Sequence, residues 1–89
     1  MKFISTSGHG YLRVTKKQLA KAQSAGFKPT SYSFYNDTCA LLEEDVDCGN
    51  FLNFYYLGKT IPKFNTVYQN DINRNLYNRF VGKYNEVEM

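Results

Sequence analysis

The sequence predicts an α+β fold: a small antiparallel or mixed sheet in the order ββαββαβ, with two helices packed on one face. Three observations carry this reading. Residues 31–35 alternate small polar and aromatic side chains with the period of a half-buried strand and meet a second apolar strand across a turn at Asn36-Asp37. Two segments read as helices, one bracketed by start and stop signals and one with its apolar residues on a single face. The length of 89 residues supplies about one hydrophobic core. With 43% apolar residues, eight Tyr, seven Phe and no Trp, the chain is too rich in large side chains for intrinsic disorder.

Taken in order, Lys2-Phe3-Ile4-Ser5 opens as a strand and Gly8-His9-Gly10 interrupts it, because paired glycines permit backbone geometry that a strand interior does not need. Tyr11-Leu12-Arg13-Val14 resumes strand character. Thr15 reads as the N-cap of a helix over residues 16–25, stopped by Gly26 with Pro29 just beyond. The hairpin strands cover 31–35 and 38–42. A second helix spans 48–57, with residues 48, 51, 52 and 55 on one face, Asp45 or Asp47 as its cap, and Gly58 closing it. Pro62 breaks the chain, 63–68 reads as a further strand, and Asn70-Asp71 turns into 72–80, which reads equally as a short helix, a loop clamp or a terminal strand. A single domain over 1–89 is expected, its tail frayed after about residue 82.

Charge is segregated behind a net of +3. Residues 1–29 carry Lys2, Arg13, Lys16, Lys17, Lys21 and Lys28 and no carboxylate, whereas 30–58 carry Asp37, Glu43, Glu44, Asp45 and Asp47 and no cation. Such sectors serve an acidic partner, self-association into a homodimer, or mutual neutralisation within the fold. No signal segment or membrane span is legible, so a cytoplasmic setting with Cys39 and Cys48 reduced is expected, both as small core residues. Two Cys and one His do not suggest zinc.

From Gly8-His9-Gly10-Tyr11-Leu12-Arg13-Val14 onward, through Ser31-Tyr32-Ser33, Leu42-Glu43-Glu44-Asp45 with Asp47 and Cys48, Phe51-Leu52, Asp71, Ile72, Arg74 and Arg79-Phe80, the chain resembles a group of short, mostly uncharacterised proteins encoded by phages and other mobile elements. It departs from that pattern at Val46, where a smaller residue or Cys is expected, and at Tyr77, where Pro often breaks the tail. The resemblance implies a setting in which small proteins bind and modulate a host or defence component. It supplies no catalytic residue.

Four sets of residues concentrate chemistry. His9 between two glycines projects from a turn, where its ring serves as a base, a ligand or, most simply, a hydrogen-bonding anchor for the turn. Glu43, Glu44, Asp45 and Asp47 cluster at a strand-to-helix junction, where alternation sends Glu43 and Asp45 one way and Glu44 the other. Oxygen-rich sets of this kind suit a hard cation, although capping and contact with the basic sector explain them as well. Lys16, Lys17 and Lys21 line the first helix, flanked by Arg13 and Lys28, either as a solvated face or as phosphate contacts beside Tyr11, Tyr32 and Tyr35. Arg74 and Arg79 sit among Asn73, Asn75 and Asn78, as a pin for the tail or an anion contact.

The leading expectation is therefore a non-enzymatic accessory protein without cofactor or metal. It binds a host or defence protein through His9, Tyr11, Arg13, Lys16, Lys17, Tyr32, Glu43, Glu44, Asp45, Asp47, Arg74 and Arg79. The alternative is a small module for nucleic acid or nucleotide that uses the basic helix and surface tyrosines. Third stands a metal-assisted hydrolase built on His9 and the carboxylates.

Overall fold

The computed structural model describes residues 1–80; the expected fraying after residue 82 lies outside them. The elements are β1 (Lys2–Ser5), β2 (Gly10–Thr15), α1 (Lys16–Ser24), β3 (Phe34–Tyr35), β4 (Cys39–Glu43), α2 (Gly49–Tyr56), β5 (Asn65–Tyr68) and β6 (Asn78–Arg79). They form a mixed six-stranded sheet in the order β5-β1-β2-β4-β3-β6, antiparallel throughout except for β1 with β5. The fold is thus α+β, as predicted, with β6 added after the last expected strand. No described helix is long and apolar enough to cross a membrane.

Alternation along β2 and β4 divides the core between the two faces of the sheet. Leu12, Val14, Ala40 and Leu42 point to the helices, where Leu19 and Ala22 of α1, Phe27, Phe51 of α2 and Phe80 complete a fully buried cluster. Each such Leu or Phe contributes about 1.5–3 kcal/mol by leaving water. On the opposite face Ile4, Tyr11, Phe34 and Leu41 are covered by Ile72 and, at the margin, Tyr77. Among the described residues no α-helix contributes to this second cluster; its cover comes from the segment 70–79 through Ile72 and Tyr77.

The caps of α1 follow the sequence. Thr15 Oγ1 accepts from the Gln18 amide at 3.1 Å while Gln18 Oε1 accepts from the Thr15 amide at 2.9 Å, a reciprocal capping box. At the other end Gly26 adopts φ +120°, and the Gly26 and Phe27 amides donate back to Gln23 and Ala22, which turns the chain so that Phe27 packs into the core. Gly10 is required for a different reason than the one expected. A Cβ there would lie 2.5 Å from the Phe3 ring and 2.9 Å from the Glu44 carboxyl carbon, so close approach, and not a left-handed backbone, excludes a side chain.

Several local expectations are corrected. Ser31-Tyr32-Ser33 is not strand but turn, because Asp47 holds it: Asp47 Oδ2 accepts from the Thr30 amide at 3.0 Å, from Thr30 Oγ1 at 2.9 Å and from Ser33 Oγ. Neither Asp45 nor Asp47 caps the second helical segment. Glu43 does, with Oε1 accepting from the Asp45 and Val46 amides at 2.8 and 3.0 Å, and a single π-helical turn over Glu44–Cys48 precedes α2. The tail combines two of its three readings, a 3-10 turn at Arg74–Leu76 and the two-residue β6. Cys39 and Cys48 are unpaired thiols, and burial, with Glu44 and Glu43 adding to it, raises the Cys48 value.

Candidate functional site

The sheet register builds a cleft on the face away from the helices. Tyr11 and Glu43 are direct cross-strand partners of β2 and β4, so their side chains stand side by side on that face. Phe34 pairs with Leu41 on one side and Arg79 on the other, which lays the Arg79 guanidinium over the Phe34 ring at 4.6 Å. The 3-10 turn brings Arg74 to the same ring at 5.4 Å. Two guanidiniums therefore lie against one aromatic ring, within range of cation–π attraction. The resulting cleft of about 220 Å³ is lined by His9, Tyr11, Tyr32, Phe34, Glu43, Asp45, Val46, Arg74 and Arg79.

Its lining carries both signs of charge. Arg79 donates to the Ser31 carbonyl at 2.7 Å, and Arg74 meets Asp71 at 3.9 Å in an exposed contact. Among the described residues no ion pair joins either arginine to Glu43 or Asp45. Glu43 is 7% exposed, and its two backbone hydrogen bonds both go to Oε1, which leaves Oε2 as an acceptor. Tyr11 forms the floor at 2% exposure. Burial lifts its phenol above the ordinary value; Arg74 draws it down, Asp71 and Glu43 push it up, and Arg79 draws it down. The hydroxyl thus stays protonated, a donor among four converging charges.

His9 sits in the expected turn, but its ring is not the expected hydrogen-bonding anchor. Its backbone, not its ring, closes the turn: the carbonyl accepts from the Thr6 amide and Thr6 Oγ1, both at 2.8 Å, and its amide donates to Thr6 Oγ1 at 3.0 Å. The exposed ring lies 6.3 Å from that of Tyr11 at the cleft mouth.

Seven of the residues singled out in the sequence thus meet in one place: His9, Tyr11, Tyr32, Glu43, Asp45, Arg74 and Arg79. The other five do not. Asp47 is fully buried as the clip for residues 30–33, and its Oδ1 has no hydrogen-bond partner among the described residues. Glu44 lies by Gly10 and Phe3. Arg13 lines a separate recess of about 180 Å³ with Lys2, Thr15 and Cys39, and its charge acts on the nearby Tyr77 phenol. Lys16 and Lys17 belong to α1 on the helix side of the sheet, where Lys21 caps the Tyr55 ring at 4.2 Å. The tyrosines proposed to stack bases are dispersed: Tyr11 is buried, Tyr35 packs on Phe80 at 4.8 Å, and Tyr32 alone of the three is freely exposed, at 61%.

Sequence reasoning missed Phe34 and Val46. The signal for Phe34 was present in the Ser31–Tyr35 alternation, which sends Tyr32 and Phe34 to one side. Among the described residues no three His, Cys, Asp or Glu side chains are placed to hold a metal ion. Neither a family model, nor a curated protein, nor a solved structure matches this chain, so the reading of the cleft rests on its own geometry.

Proposed function

We propose that this protein is a non-enzymatic binding module that engages a protein partner through the cleft between Arg74, Arg79 and the Glu43–Asp45 turn. The observation that carries the proposal is the set of four charges, two of each sign, held around one cleft without pairing to one another. Sites that stack Arg and Tyr beside unspent acceptors suit protein interfaces, where such residues are enriched as anchors. Volume supports the same class: about 220 Å³ lies below the roughly 300 Å³ at which small-molecule sites begin, and suits one or two side chains of a partner. The genetic setting belongs to the proposal too: an accessory protein of a phage or mobile element acting on a host or defence protein.

Binding is favoured over catalysis because the described residues of the cleft form no hydrogen-bonded histidine–carboxylate pair. Glu43 caps a turn and Asp47 clips a loop, while the His9 ring has no hydrogen-bonded carboxylate among the described residues. The nucleic-acid alternative loses its surface, since α1 and Tyr11 lie on opposite faces of the sheet.

The test is capture from host lysate with and without nuclease. A single protein recovered in both conditions, and lost with an Arg74→Gln, Arg79→Gln variant that retains the native melting temperature, is the expected outcome. Capture that disappears with nuclease, or that ignores both arginines, would overturn the reading.

A further inference from the structure

The cleft's charge pattern bears on what it selects. A bare anion site presents cations alone, whereas here Arg74 and Arg79 share the lining of the cleft with Glu43 and Asp45. A phosphate group would bring about two negative charges into a cleft already containing two carboxylates, and like charges at this range repel. A lone ammonium meets the converse penalty. An element carrying both signs satisfies both sets.

Resting on the protein-binding reading above, we infer that the cleft recognises a charge-paired peptide element, an Asp or Glu with a Lys or Arg close to it in the same segment. Its carboxylate lies against Arg74 and Arg79, and its cation against Glu43 and Asp45. The arginines are prepared for this role. Both guanidiniums lie within cation–π range of Phe34 and Arg79 is tethered to the Ser31 carbonyl, so the ordering lost on meeting a carboxylate is reduced. The exposed Asp71 contact of Arg74, 3.9 Å long, is readily exchanged for a ligand. The Tyr11 hydroxyl adds a neutral donor at the floor, and Glu43 Oε2 with the exposed Asp45 carboxylate supplies acceptors for the cation.

Four short blocked peptides test this: one with Glu and Arg, one with Glu alone, one with Arg alone, and one with phosphoserine in place of Glu and no Arg. Amide shifts in the full chain report binding, and those of Glu43, Asp45, Val46 and Arg79 should move together. The charge-paired peptide is expected to bind at least about tenfold more tightly than either single-charge peptide, equivalent to about 1.4 kcal/mol. Arg79→Gln should erase the contribution of Glu. Because Arg79 belongs to β6 and its loss can loosen that strand, Asp45→Lys on the exposed turn is the second variant; it should invert the preference toward the peptide with Glu alone.

Equal binding of the Glu-only and charge-paired peptides, tightest binding of the phosphopeptide, no shift with any peptide, or a mixed-sequence oligonucleotide moving the same amides more strongly would each overturn the inference. Two failures are separable. Arginine-dependent partner capture without a charge-pair preference removes this inference and leaves the protein-binding reading standing. A clear charge-pair preference with capture indifferent to the arginines does the reverse.

Discussion

Strands β2 and β4 build both faces of the sheet, yet the faces are finished in different ways. On one, Leu12, Val14, Ala40 and Leu42 are sealed by two helices and by Phe27, Phe51 and Phe80, all at 3% exposure or less. On the other, Ile4, Tyr11, Phe34 and Leu41 are covered by an irregular strap whose one buried apolar contribution to that cluster is Ile72. Among the described residues the buried cluster on the helix-covered face is wholly apolar; the strapped face brings Arg74, Arg79 and Glu43 to one cleft. The first face carries the larger apolar core and the second the proposed recognition cleft, because only incomplete cover leaves charged side chains accessible beside buried ones.

The largest expected effect breaks the sealed face. Phe51→Ala removes a fully buried ring that meets Phe27 at 5.6 Å and Tyr55 at 5.3 Å, and should cost about 3–5 kcal/mol in chemical denaturation. A loss below about 1 kcal/mol would show that this face is not the anchor. Next comes Asp47→Ala, which strands the Thr30 amide, Thr30 Oγ1 and Ser33 Oγ; about 3 kcal/mol is expected, with peptide binding weakened because Tyr32 sits within the released turn. Ile72→Ala on the strapped face should cost about 2 kcal/mol, the low end of its range because the site is marginal and can collapse. Hydrogen exchange should then accelerate over residues 73–79 and leave α1 protected. Equal acceleration in both would erase the distinction between the faces.

Alkaline pH sharpens the comparison further. Burial raises the phenols of Tyr11 and Tyr77, both on the strapped side, so each is harder to ionise folded than unfolded. Their contribution is fully present below the ordinary tyrosine value of about 10 and is lost as pH rises through the elevated folded values. Melting temperature should fall over that window, and a Tyr11→Phe, Tyr77→Phe variant should flatten the fall. The smallest effect is expected of Asp71→Asn. It removes an exposed ion pair of 3.9 Å and keeps the oxygen that accepts from the Ile72 amide, so stability should change by no more than about 0.5 kcal/mol.

How much of this was legible in the sequence depended on whether the cause was local. The α1 caps, the β3–β4 turn and the apolar face of α2 rest on neighbours within a few residues, and Thr15, Gly26 and Asn36 announce them. The failures have distant causes. Ser31–Ser33 has strand alternation, but Asp47 bonds fourteen residues on from Ser33 decide its shape. Asp45 and Asp47 are ordinary capping residues, yet the register that pairs Tyr11 with Glu43 delivers Glu43 to the turn instead. For the site, residue types pointed correctly to Arg, Tyr and acid. Only the β3–β6 pairing reveals that Phe34 is the surface on which both arginines rest.

The position of Phe80 has a consequence for the order of events during synthesis. Within nine residues the chain places Ile72 under the strap on one face and Phe80 in the sealed core on the other, bonding the Phe80 amide to Ser33 as it passes the sheet edge. Arg74 and Arg79 lie between these two points. A nascent polypeptide growing from its N-terminus therefore holds Tyr11, Phe34 and Glu43 before it holds either arginine, and β6, which carries Arg79, can pair with β3 only after residue 79 has been made. The proposed recognition cleft is thus complete only once the chain has been made through Arg79.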